Sequence, residues 1–536
     1  MASQIENYAF ISNLNGSALV SRDGSVDWLC FPRFDSDACM AALLGRDEHG
    51  CWYVYPGVPV RRVERRYRPG TLILETDYYC DGGAVRLIDF MPIEPGRHSL
   101  VRIVEGLEGS GPVDVSLSVR FGYGAYRPWI TKPDDDIEMI AAPNAVVLRT
   151  RASLTFDEKD VRGLISITKG DQLSFELTWH PSQAPPPPAL NVGAALADTE
   201  RYWKDWSGRS KYKGNYADAV SQSLIALKGM IYAPSGGIVA APTAALPEEI
   251  GGVRNWDYRY CWLRDATLTL DAFMLGGYVD EAVAWRTWLL NAIAGAPDEL
   301  QIMYGIEGER RLTEFEATWL PGYEQSSPVR IGNAASEQFQ LDVYGEVIQA
   351  LYEARRLGVA EARFVRSPAR RLIDFLETAW QKPDDGIWEV RGGRRHFVHS
   401  KMMAWVAIDR TIRITEEFTA PDDKARQLLP RYRSLRDRIH RDVCEHGFDK
   451  RQNAFTQAYN SPALDAGVLL MPALGFLPAS DPRVQGTIRA IEKNLMHDGF
   501  VLRYKPEHTG DGLPGSEGAF LACSFWLVDA YAYSGR

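Results

Sequence analysis

Between Val113 and Phe121 the chain alternates strictly. Val113, Val115, Leu117, Val119 and Phe121 are apolar, and Asp114, Ser116, Ser118 and Arg120 between them are polar. A period of two marks a half-buried strand. Further runs of strand length surround it, among them CWYVYP, VVLRTRASL and LISITKGDQLSFELTW, separated by turn residues. Asp23-Gly24 and Asp81-Gly82 each lie between two such runs and read as hairpin turns. With no helical period interleaved, the text from Met1 to about His180 predicts antiparallel strands in a β-sandwich.

The period changes after PSQAPPPPAL, whose consecutive prolines at 185–188 make a stiff, extended boundary. Beyond it apolar residues recur every three or four positions. Helices are predicted near 192–206, 216–230, 265–277, 279–294, 336–356, 361–380, 400–415, 420–444, 481–496 and 516–533. No strand alternates regularly with them, which argues against a parallel α/β fold, and no fixed repeat supports a solenoid. Long aromatic-rich loops at 295–335 and 445–465 suit an α-barrel whose site is built from its loops. The expected division is a β-sandwich domain at 1–184, a proline-rich and helical linker at 185–214, and a barrel domain at 215–536.

Composition narrows the function. At 536 residues the chain exceeds one ordinary core, and 45% hydrophobic with 24% charged residues is the balance of a globular protein in water. A net charge of −10 without basic runs speaks against a nucleic-acid partner. The opening MASQIENYAFISNLNGSALV has neither a basic n-region nor an apolar h-region. No apolar run reaches the roughly 18 residues of a membrane helix, so a cytoplasmic protein without a membrane partner is expected. Seven cysteines without a CxxC pair point to free thiols. His396 and His399 are the nearest histidine pair and no third ligand accompanies them, so no metal site is expected. A homo-oligomer is left open.

Chemistry concentrates in NWDYRYCWLRD, Asn255 to Asp265, where a Pro/Gly-rich loop becomes a helix with Leu268, Ala272 and Leu275 on one stripe. Asp265 reads as a first-turn acid or N-cap. A capped helix with core-facing aromatics explains the stretch as well as a sugar pocket does. In the second reading Tyr258 and Trp262 face the apolar C–H surface of a pyranose while Arg264 and Asp265 bind its hydroxyls. Three other segments join it. One holds Tyr323, Arg330 and Asn333 in a Gly/Pro/Ser loop; the second places Glu389 after Trp388 in a Gly-flanked turn; the third sets Glu517 just before the last helix. A glutamate beside an indole in a dry pocket has its pKa raised, whereas one in a polar setting stays ionised, so the pair can divide general acid from general base. Most of the 70 acidic residues sit on solvated faces, and spacing alone does not select these two.

DYRYCWLRD, PVRIGNAA, GIWEVRG and SEGAFLACSFWLVDAY, in that order, resemble glycoside hydrolase family 15, in its prokaryotic branch of trehalases and glucoamylase-like enzymes. NGSALVSRDGSVDWLCFPRFDS is similar to that branch's β-domain opening, so the resemblance spans nearly the whole chain. It implies an N-terminal β-sandwich, a helical linker and a catalytic (α/α)6 barrel, with no metal or organic cofactor. By motif it implies Arg264 and Asp265 as the hydroxyl clamp, Tyr258 beside the ring and the catalytic water, Glu389 as general acid, Glu517 as base and Arg330 as a substrate contact. Fungal members carry a second acid directly after the general acid; here Val390 stands there. The expected activity is inverting exo-hydrolysis of an α-glucoside, with carboxyls roughly 6.5–9.5 Å apart to admit water. Trehalose leads as substrate, ahead of α-1,4- or α-1,6-linked gluco-oligosaccharides. The 295–335 loop, with Tyr304, Trp319 and Tyr323, and the basic Arg391, Arg394 and Arg395 are expected to close a lid over a small aglycone. The rival of another class is a non-catalytic carbohydrate-binding protein, which would need neither Glu389 nor Glu517.

Overall fold

Residues 2–358, 366–420 and 423–536 are described by the computed structural model. Strands fill the chain from Ala9 to Pro181, and one long strand, Ser99–Ser118, organises them. Its first half pairs antiparallel with Gly83–Phe90 and Gln172–Pro181, its second half with Cys51–Pro56 and Val161–Thr168. It therefore belongs to both layers of a sandwich, and their inner faces share one apolar core containing Val113, Val115, Leu117 and Val119. The Asp81-Gly82 hairpin is present: Cys80 faces Gly83 across it, and Gly82 takes a φ of 91°, which a side chain would resist.

The proline run is held against the sandwich by Arg97, which donates to the Pro188 carbonyl at 2.8 Å and to Glu176 at 3.1 Å. A helix at Val192–Ser207 follows, with the Asn191 side chain accepting from the Ala194 amide as N-cap. Its Trp203 and Trp206 insert into the core of the helical half, where Trp206 stacks on Tyr278 at 4.2 Å. That half is an (α/α)6 barrel built from the longer helices Ala217–Gly229, Leu263–Gly276, Val279–Ala292, Asp342–Arg356, Arg366–Ala379, Val398–Phe418, Leu429–His446, Pro482–Asn494 and Leu521–Tyr533. Two-stranded hairpins such as Ala244–Pro247 with Asn255–Asp257 lie between helices, too short for any period to announce.

Several elements differ from the sequence reading. The helix expected at 336–356 starts at Asp342, and the one expected at 516–533 starts at Leu521. Residues 361–365 and 421–422 of two other expected helices lie outside the described residues. On Leu263–Gly276 the stripe through Leu268 and Leu275 faces outward, with exposures of 40% and 84%; Leu263, Ala266, Leu270 and Phe273 are buried instead.

The barrel interior holds carboxyls. Asp342 is 2% exposed, and burial, reinforced by Asp384, pushes it up to about 7; burial, reinforced by Glu353, does the same to Asp271. Both folded values exceed those of the unfolded chain, so the folded protein holds these protons more tightly. The resulting stability is complete below about pH 4 and is lost as pH rises through about 7. In thermal melts these two carboxyls therefore pull Tm down between about pH 5 and about pH 8, against the buried His399, whose lowered pKa pulls it up as pH rises toward about 6.5. Asp342→Asn should remove part of that fall; an identical slope in the variant would clear Asp342 of the effect.

Candidate active site

Three segments meet at one end of the barrel. The first enters through the hairpin strand Asn255–Asp257 and the short strand Cys261–Trp262, which pairs with Met303–Tyr304, and continues directly into the helix Leu263–Gly276. Tyr258 and Trp262 come together here, ring centroids 5.5 Å apart. Arg264 and Asp265 fall in the helix's first turn, after an N-cap, Trp262, that makes no side-chain cap. Arg264 donates to Asp265 at 3.0 Å, to the Ile387 carbonyl at 2.7 Å and to Glu389 at 3.2 Å.

The second segment is the turn Gly386–Val390. Gly386 has φ 74°, and a Cβ there would lie 2.7 Å from the Phe397 ring, so only glycine lets the chain turn this tightly. Glu389 itself sits at φ 50°, a backbone region that costs a non-glycine residue about 1–3 kcal/mol and persists only where its surroundings hold it. Its carboxyl accepts from the Trp262 indole at 3.1 Å and from Arg264, and its side chain stays 21% exposed toward the cavity. Burial raises its pKa and Arg264 partly offsets the rise. The Trp388 indole donates to both oxygens of Asp465 at 3.0 Å while its ring packs on Phe520 and Trp526. Trp388 is thus pinned on one side and lines the cavity on the other.

The third segment carries Arg503, Tyr504, Asp511 and Leu513 on the cavity wall, and Glu517 behind it. Glu517 lies ahead of the terminal helix, whose N-cap is Phe520, so it does not cap that helix. Its side chain is 1% exposed and takes Arg503 on both oxygens, at 3.0 and 2.6 Å, with Arg254 at 3.4 Å. Burial raises its pKa; Arg503 opposes that.

Two expected contacts are relocated. Tyr323 is buried and does not line the cavity, its hydroxyl donating to the Ser3 carbonyl at 3.3 Å. It belongs to an apolar seam in which Leu320, Val329 and Ile331 pack on Trp28, Leu43 and Leu44 of the sandwich, and Trp319 donates to the Tyr123 carbonyl. Tyr304 is also fully buried. Apolar side chains in this loop found a partner surface in the sandwich, so the loop joins the domains instead of covering the pocket. Arg330 does not border the cavity either. It lies 4.7 Å from the Trp256 ring, whose centroid is 4.3 Å from Arg391, and Glu314 stands within 3.7 Å of one guanidinium and 3.2 Å of the other. Trp256 and Arg391 are the members of this stack that face the cavity.

Sequence reasoning passed over Glu248 and Arg503. Glu248 borders the cavity, accepts from the Tyr258 hydroxyl at 3.2 Å and from Arg503 at 2.9 Å, and so shares one guanidinium with Glu517. Neither had a local pattern to mark it; only the acidic LPEEIGG loop ahead of the aromatic stretch hinted at Glu248. The cavity is small, about 50 Å³ against the roughly 300 Å³ of small-ligand pockets, and opens to one side. Among the described residues no group of three or more His, Cys, Asp or Glu is arranged to hold a metal ion, and no helix is long and apolar enough to cross a membrane.

Known proteins share this sequence pattern and fold. The profile described as "Glycosyl hydrolases family 15" matches residues 214–536, and the one described as "Trehalase-like, N-terminal" matches 1–159. A trehalase of Mycobacterium tuberculosis is 35% identical over 99% of this chain and 82% of its own length, and a trehalase of Thermoplasma volcanium is 33% identical over 98% and 84%. A crystal structure of a bacterial glucoamylase complexed with acarbose shares the fold, with a TM-score of 0.73 at 13% identity, covering 100% of this chain and 86% of that one. The chain is a glycoside hydrolase and belongs to glycosyl hydrolase family 15.

Proposed function

We propose that this enzyme hydrolyses α,α-trehalose with inversion. One observation carries the reading: Glu389 is a half-dry carboxyl with a raised pKa, held at the cavity by Trp262 and Arg264 beside a tyrosine–tryptophan pair. Burial favours the protonated form of this carboxyl, which can give its proton to the glycosidic oxygen as the C1–O bond breaks. Water attacks C1 from the opposite face, and Glu517 takes the water's proton. Arg264 and Asp265 grip the hydroxyls of the terminal glucose while Tyr258, Trp262 and Trp388 cover its C–H faces. The trehalase relatives favour a disaccharide closed at both ends over a long glucan chain.

The deciding measurement compares kcat/KM for trehalose, maltose, isomaltose and starch, with NMR following the anomers formed first. Trehalose should be preferred, and its two glucoses should appear initially as equal amounts of α and β. A preference for maltose or isomaltose would replace trehalose with the oligosaccharide reading, which the glucoamylase-like fold accommodates. Only α-glucose from trehalose at early times would exclude inversion.

A further inference from the structure

Gly122, Tyr123 and Gly124 have φ values of 61°, 57° and 88° in succession. Left-handed backbone is ordinary for the glycines but strained for a tyrosine, and such strain persists where surrounding structure enforces it, often near functional sites. This turn, closed by the bridge between Phe121 and Tyr126, brings the Tyr123 ring to the seam with the helical half, where it is 2% exposed. Its hydroxyl accepts a 2.7 Å hydrogen bond from Arg259.

Arg259 is fully buried. Its other donors go to Asp257, at 2.9 and 2.7 Å, and to the Ser36 carbonyl of the sandwich at 2.7 Å. The Asp257 carboxylate also receives the Gly332 amide at 3.1 Å, and its carbonyl receives the Asn333 side chain at 3.2 Å. Between Asp257 and Arg259 stands Tyr258, and both Tyr258 and Asn333 border the cavity. A buried ion pair is a poor source of net stability, because desolvation offsets most of its attraction. The seam is already closed by apolar packing and by the Trp28 indole on the Pro242 carbonyl at 2.9 Å, neither of which needs a tyrosine in strained backbone. What the pair adds is a hydrogen-bonded link from the sandwich to the residues flanking Tyr258 and to Asn333, two cavity-facing positions.

We propose that Tyr123 is a positioning residue of the active site: acting through Arg259 and Asp257, the N-terminal sandwich sets where Tyr258 and Asn333 meet the sugar. The inference rests on the reading of Tyr258 as facing substrate. Displacing a substrate-facing group by about 1 Å can cost up to about 10²-fold in rate.

The test is a double-mutant cycle between Tyr123→Phe and Tyr258→Phe, with kcat and KM on trehalose and a thermal melt for each protein. Tyr123→Phe keeps the buried ring and should lower kcat/KM by about 5- to 50-fold with little change in Tm, and should cost far less when Tyr258 is already phenylalanine. Wild-type kinetics in Tyr123→Phe, or an equal loss in both backgrounds, would overturn the proposal. If Tyr258→Phe alone behaves as wild type, the reading of Tyr258 fails instead. Should Tyr123→Phe fold poorly, Arg259→Lys keeps the charge opposite Asp257 but loses the fork to Tyr123 and Ser36. It should show the same dependence on Tyr258, and additivity there would overturn the proposal.

Discussion

Glu389→Gln should lower kcat on trehalose by roughly 10²- to 10⁴-fold and leave KM nearly unchanged. Glutamine has the same shape and can still accept from the Trp262 indole and Arg264, so the strained turn should survive. What it cannot do is release a proton to the departing oxygen. The loss should therefore shrink sharply on α-glucosyl fluoride, whose leaving group departs without protonation. Because Glu389 must hold its proton to act, activity on trehalose should fall as pH rises through its raised pKa, and that limb should be missing from the variant's profile. Equal losses on trehalose and on the fluoride would remove Glu389 from the acid role.

The period-two text of the N-terminal half led directly to its strands, because a sandwich strand is half-buried and its alternation is read from one residue to the next; Val113 to Val119 and the Asp81-Gly82 hairpin are examples. Helix phase was less legible. On Leu263–Gly276 two stripes both have helical spacing, and only packing chooses the one through Leu270 and Phe273 over the one through Leu268 and Leu275. The same limit applies to Tyr323, whose long aromatic-rich loop suggests a lid; its partner surface is the sandwich, some 300 residues earlier in the chain. Trp262, Arg264, Trp388 and Glu389 belong to compact motifs, and the fold brings them into contact. Glu248 and Arg503 carry no motif, and their pairing spans 255 positions of sequence, which no local pattern encodes.

That pairing sets up the sharpest test of the general base. Two carboxylates share Arg503: Glu517, 1% exposed behind the wall, and Glu248, which faces the cavity and accepts from Tyr258. A base must be ionised, and Glu517 has two cations beside it, Arg503 and Arg254, against the upward pull of burial. The oxygens of both glutamates are engaged, those of Glu248 by Tyr258 and Arg503 and those of Glu517 by Arg503, so what distinguishes Glu517 is its second cation, Arg254. Glu517→Ala should thus lose roughly 10²- to 10⁴-fold in kcat, whereas Glu248→Gln should stay within about tenfold of the parent enzyme. Added azide separates the roles chemically. Its nitrogen can attack C1 without being deprotonated, while Glu389 still protonates the departing oxygen. A variant lacking only the base should therefore recover turnover and form β-glucosyl azide. Glu517→Ala should be rescued in this way, and Glu248→Gln should not. The reverse pattern, with the large loss and the rescue at Glu248, would make Glu248 the base and leave Glu517 as the counter-ion that holds Arg503 in the wall.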